Sequence, residues 1–168
     1  MRVNLSWLDI MVLFYSMPYI LDIQGYRGAR NTYVIKEIGV VSTDGTTIEH
    51  YVFKTSVNKR YYTRDNAWII KNYHQLDWSD GETDLRELVG IMERLLKKEK
   101  VIYMKGIHKQ KWIRPYIHRN DYSIKNLSEA PQLKDLWNYP SAQRCSYEHP
   151  HCALENAFKL YNWLMEKN

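Results

Sequence analysis

The chain has 168 residues and a net charge of +5, and 45% of it is hydrophobic, with fourteen Tyr and six Trp. That length suits one domain, and the apolar content is too high for a disordered chain. No run of about 18 apolar residues occurs, so no membrane span is expected; two cysteines, Cys145 and Cys152, are too few for a disulfide framework.

Cysteine usage of this kind points to a reducing, intracellular compartment, nucleus or cytoplasm. The pI near 9.1 makes nucleic acid a natural partner class, because positive charge attracts polyanions over long range. An ordinary solvated basic surface would give the same charge. From Leu5 to Ile20 the chain is apolar but carries Ser6 and Asp9 and lacks a small-residue cleavage site, which argues against a signal peptide. Met17 lies just before the first strand run, so residues 1–16 are expected to be an N-terminal extension, and residues 17–168 the domain.

Tyr19 to Gln24 is a short apolar strand run, followed by turn punctuation at Gly25, Gly28 and Asn31. Tyr33 to Ser42 is rich in β-branched residues, and Asp44-Gly45 signals a hairpin into Thr46 to Lys54. Thr63 to Asn66 can cap a helix through Trp68, Ile69, Ile70 and Tyr73, with a break from His74 to Gly81. Thr83 then opens the clearest helix. Leu85, Leu88, Val89, Met92, Leu95 and Leu96 recur at helical spacing, and Lys97, Lys98 and Lys100 suit its negative end.

Val101 to Met104 reads as a buried strand, Lys109 to His118 as a basic, aromatic helix, and Ser123 to Leu127 as a fifth strand. A short helix at Gln132 to Trp137, a loop from Pro140 to Pro150 and a last helix from about Cys152 to Glu166 complete the chain. This order predicts one α/β domain with a mixed five-stranded sheet flanked by helices, its first and fourth strands side by side.

Two groups of residues suggest chemistry. Lys105, His108, Lys109, Lys111 and Arg114 surround Trp112 and Tyr116, a mixture of cations and aromatics suited to single-stranded nucleic acid. On a helix, Ile113, Tyr116 and Ile117 form the core stripe, so Lys109, Lys111 and Arg114 are expected to face solvent. The alternative is a solvated helix face without a ligand. Cys145, His149 and Cys152 are soft or borderline donors within eight residues and suit zinc, with a fourth ligand to come from His108, His118 or a Glu. The alternative makes Cys152 a core thiol and the histidines exposed loop residues.

Three segments carry a family resemblance: Tyr19-Ile20-Leu21-Asp22-Ile23-Gln24-Gly25, then Ile35-Lys36-Glu37-Ile38-Gly39-Val40-Val41, and His151-Cys152-Ala153-Leu154-Glu155-Asn156-Ala157. The chain resembles the DEDDh 3′–5′ exonucleases of the ribonuclease H-like fold, which open with an Asp-x-Glu strand and close with His-x-Ala-x-x-Asp-Ala. Those enzymes hold two divalent metals about 3.5–4 Å apart with four carboxylates. The resemblance puts Asp22 at the first acid, Gln24 at the second, Lys111 or Trp112 at the third and Asn156 at the last, with His151 as general base. Its implication is a degenerate site with little hold on magnesium or manganese.

The Cys145, His149 and Cys152 group is similar to part of the Glu-Cys-His-Cys zinc site of the Maelstrom domain, and the chain also resembles uncharacterised insect or mobile-element proteins. From these follow three readings: a domain binding RNA or single-stranded DNA in RNA silencing or mobile-element biology, a protein-interaction scaffold with a zinc-stabilised fold, and a divergent nuclease using Asp22, Glu37 and His151.

Overall fold

The computed structural model describes residues 16–55, 59–136, 145 and 147–167. All but Ser16 of the expected extension lies outside that set. Ser16 and the amide of Met17 both donate to the carboxylate of Glu99.

The sheet is built on β1 (Tyr19–Arg27) and β2 (Tyr33–Ser42), paired antiparallel from Tyr19 opposite Ser42 to Arg27 opposite Tyr33. Both strands are buried on both faces for most of their length, which explains their nearly continuous apolar runs. β1 runs three residues past the expected end. Gly25 lies inside the strand at a bulge, where a Cβ would collide with the Val34 carbonyl at 2.0 Å. The chain reverses at Gly28–Thr32 instead.

The Asp44-Gly45 turn then delivers β3 (Ile48–Lys54) antiparallel to β2, with Gly45 at φ 73 and Asp44 accepting from the Thr46 amide. α1 (Arg64–Asn72) is capped by the Thr63 hydroxyl.

Among the described residues six strands form the sheet, in the order β4-β3-β2-β1-β5-β6. The additional strand is β4 (Thr83–Asp84), parallel to the end of β3. Thr83 therefore does not open a helix. Asp84 caps a tight turn at Leu85–Glu87, and α2 (Leu88–Lys98) starts after it. β5 (Val101–Met104) and β6 (Ser123–Asn126) add parallel strands, so the first and fourth predicted strands are neighbours as the element order requires. Between them, α3 (Ile107–Ile113) ends in a tighter turn at Arg114–Tyr116 that contains Pro115. The expected helix at 132–137 is only a turn at Leu133–Asp135, and Trp137 lies outside the described residues.

α4 (Ala153–Lys167) covers the other face of the sheet. Gly39 makes this close approach feasible, since a Cβ there would lie 2.4 Å from the Leu154 backbone. Two apolar clusters result. Leu21, Ile23, Leu88, Met92 and Ile113 pack on one face, and Ile20, Val41, Leu154, Ala157 and Leu160 on the other. Among the described residues no helix is long and apolar enough to cross a membrane.

This topology also makes a cleft. Among the described residues β1 pairs with β5 only at Tyr19 and Ile20, so its β5-facing edge has no strand partner there from Leu21 onward. α3 and α4 converge on that open edge.

Candidate functional site

Asp22 is fully buried at the open edge, and its two oxygens have different partners. Lys109 Nζ donates to Oδ1 at 2.6 Å, and Asn156 Nδ2 donates to Oδ2 at 2.9 Å. Asp22 and Asn156 lie 134 residues apart in sequence, yet their side chains touch. Gln24 is 2% exposed, and its Nε2 has no partner among the described residues. His151 has a left-handed φ of 55, and its ring stacks on Tyr73 at 4.1 Å. Burial, with the nearby Lys159 and Lys109 charges, holds its pKa below the usual histidine value. The pocket thus contains one carboxylate, one ammonium and two amides.

Lys109 was expected to face solvent, and this is corrected: it lies in the pocket with its side chain 19% exposed. The reason is helical phase. Lys109 precedes the buried Ile113 by four residues and so shares its stripe. Gly106, at φ 104 and anchored through its amide to Asn126, turns the chain from β5 into α3 and points that stripe at Asp22. Lys111 is exposed, and Trp112 stacks flat on Tyr33 at 3.9 Å. Within the basic segment, the group that bonds Asp22 is therefore the Lys109 ammonium, two residues before Lys111.

The rest of the basic segment divides. Lys105 Nζ is bonded to the Ala130 carbonyl at 2.6 Å, so it ties β5 to the segment after β6. His108, Lys111 and Arg114 are exposed, with His108 beside Trp112 and Arg114 over the Tyr122 ring.

A second cluster lies under the start of α4. Ligand-type atoms of Glu37, His50, Cys145 and Cys152 all fall within 4.8 Å of one another. Glu37 Oε1 is approached by His50 Nε2 at 2.7 Å, and by His149 Nε2, Cys152 Sγ and the Ala153 amide at 3.1 Å each. His149 Nδ1 is bonded to the His74 carbonyl at 2.7 Å. The expected ligands Cys145 and Cys152 are thus together. The missing partners are Glu37 and His50, whereas His149 borders the group through Glu37 and Cys145. His108 and His118 are exposed outside it.

Charge and geometry both suit a divalent ion here. Burial would raise the Glu37 carboxyl, but hydrogen bonds from His149 and His50 hold it below its ordinary value. Burial would likewise lower both imidazoles; contacts with Cys145 and Glu37 instead raise His50 to about 9 and His149 to about 10. The Cys145 thiol is pushed down, first by the Cys152 hydrogen bond, and Cys152 is pushed up by Cys145 and burial. A divalent cation bound among these donors would displace protons from them.

Glu37 Oε2 is buried without a partner among the described residues, the kind of orphan that a metal would satisfy. Two sulfurs, an imidazole and a carboxylate are zinc-type donors. Bound there, zinc would act structurally, joining β2, β3 and the segment before α4.

Two sequence signals for the missing ligands existed. Glu37 is a charged residue within the apolar run of β2, and His50 interrupts β3. Their approach follows from the β2–β3 register, in which Glu37 faces Val52 and His50 faces Gly39, making them diagonal neighbours.

The sequence matches no family model and no curated protein. Solved structures do match. An exonuclease domain of Mopeia virus, partially complexed with manganese, aligns over 96% of this chain and 87% of its own, with TM-score 0.62 and 16% identity. The manganese-depleted form of that viral domain aligns over 97% and 87%, with TM-score 0.59 and 17% identity. A 3′-exonuclease that recognises the 3′ end of a histone mRNA stem-loop aligns over 90% and 81%, with TM-score 0.51 and 13% identity. The chain is thus a single α/β domain with the fold of these exonuclease domains.

Proposed function

We propose that the chain is a degenerate exonuclease-fold domain that binds RNA or single-stranded DNA without conventional two-metal catalysis. The observation that carries this reading is the Lys109 ammonium, 2.6 Å from buried Asp22. Magnesium and manganese require anionic oxygen ligands. Asp22 already has a cation beside it, and Gln24 and Asn156 contribute only neutral amides at the other acid positions.

Support for a nucleic-acid ligand comes from exposed His108 and Lys111 on the helix that borders the pocket, from exposed Arg114 in the turn after it, and from exonuclease domains among its structural neighbours. The Glu37, His50, Cys145 and Cys152 group is read as a zinc staple. Its donor types are similar to those of the Maelstrom domain, which favours a setting in RNA silencing or mobile-element biology, in nucleus or cytoplasm. The divergent-nuclease reading is less well supported, because the Glu37 carboxylate is engaged by the cysteine and histidine group.

A labelled single-stranded oligonucleotide should bind with an affinity that falls as salt rises. It should remain intact in magnesium or manganese. Absence of binding at low salt would favour the protein-interaction scaffold. Manganese-dependent cleavage abolished by Asp22→Ala would favour the nuclease.

A further inference from the structure

At the far end of β1 the chain forms a separate cleft of about 490 Å³, with Arg27, Arg30, Arg60, Tyr61, Thr63 and Asp65 among its lining residues. Among the described residues, three arginines and one aspartate line it. The single acid is weakly engaged: Arg27 and Asp65 are 3.7 Å apart, with side chains 72% and 70% exposed. Arg30 is exposed and has no acidic partner among the described residues.

The cleft is built rather than incidental. Asn66 is fully buried, and its side chain bonds the amide and carbonyl of Arg27 and the carbonyl of Tyr61 at 2.8–2.9 Å. One amide side chain therefore joins the β1–β2 turn, the 59–61 turn and α1. Arg30 and Asn31 hold left-handed backbone, at φ 52 and 60, a conformation that costs free energy for side chains with a Cβ and tends to persist at functional positions. The Arg60 guanidinium lies 4.9 Å from the Tyr61 ring centroid and donates to its hydroxyl, forming a mixed cationic and aromatic face of the kind used by single-strand sites.

We infer that this cleft binds the phosphate backbone of a single nucleic-acid strand, with Arg27 and Arg30 on phosphates and the Arg60–Tyr61 face against a base. The inference rests on the nucleic-acid reading above and adds a second contact region to it. Arg27 lies five residues beyond Asp22 on the same strand, about 16 Å at the rise of an extended chain. An extended strand could contact the Asp22 pocket and this cleft together.

The test is fluorescence anisotropy with a 5′-labelled single-stranded RNA of about 12 nucleotides, within the usual range of single-strand site sizes, across a salt series. Arg27→Gln/Arg30→Gln should weaken binding about tenfold and lower the slope of log Kd against log salt by about 1.4, from two phosphate contacts at about 0.7 each. Asp65→Asn should tighten binding by removing the competing carboxylate, an effect that a folding defect would not mimic. If the unaltered chain binds but neither variant changes affinity or salt slope, the cleft assignment falls and the general reading stands. If the unaltered chain binds no oligonucleotide, both fall.

Discussion

Lys109 and Asp22 form an ion pair whose acid is fully buried and whose base is mostly so. Removing one member of such a pair leaves an uncompensated charge in a medium that solvates it poorly. Lys109→Met should therefore cost about 3 kcal/mol in urea unfolding, and Asp22→Asn/Lys109→Met should recover more than half of that. A double-variant loss equal to the sum of the two single-variant losses would show that the pair is not coupled.

His74 gives a pH dependence. It is fully buried; Nε2 is bonded to the Gly25 carbonyl, and Nδ1 accepts the Leu76 amide. Burial lowers its pKa to about 4, against 6.5 for an ordinary histidine. The folded state thus binds fewer protons than the unfolded chain between those values. Its contribution is complete above about pH 6.5 and lost as pH falls toward 4, at up to about 1.4 kcal/mol per unit. The raised imidazoles of His50 and His149 have the opposite sign, so the measurement is the difference between the parent and His74→Gln. The parent's unfolding midpoint should fall more steeply over that window.

Among the elements, the seam between the sheet and α4 governs the architecture. Gly39 lies where a Cβ would meet the Leu154 backbone at 2.4 Å, and backbone cannot move aside as a side-chain tip can. Gly39→Ala should cost about 3 kcal/mol, the upper end for overpacking, read by thermal or urea unfolding. The Glu37, His50, Cys145 and Cys152 cluster lies under the same seam. Purified protein should carry about one equivalent of zinc by metal analysis, and Cys145→Ser should lose it. With that loss the melting temperature should fall roughly 6–12 °C, the shift for about 3 kcal/mol in a domain of this size. Folded parent protein without metal would remove the staple.

Across the whole molecule, the legible parts of the sequence were those governed by local pattern. The apolar runs of β1 and β2, the Asp44-Gly45 turn and the Leu88 to Leu96 stripe each follow from neighbouring residues. The family-like segments also brought Asp22 and Asn156 into one pocket. What escaped depended on long-range register or helical phase. β4 has two residues and no periodicity to detect, and it exists because the end of β3 offers it an edge. Glu37 and His50 become neighbours only through strand pairing. Lys109 could have been placed by counting back four residues from Ile113; its basic neighbours drew it to the solvent side instead.

The most direct measurement follows a 5′-labelled RNA oligonucleotide incubated with the purified chain and manganese. The oligonucleotide should be bound and remain full length. Manganese-dependent shortening from the 3′ end, abolished by Asp22→Ala, would mean that the pocket still loads a catalytic metal despite the lysine beside Asp22.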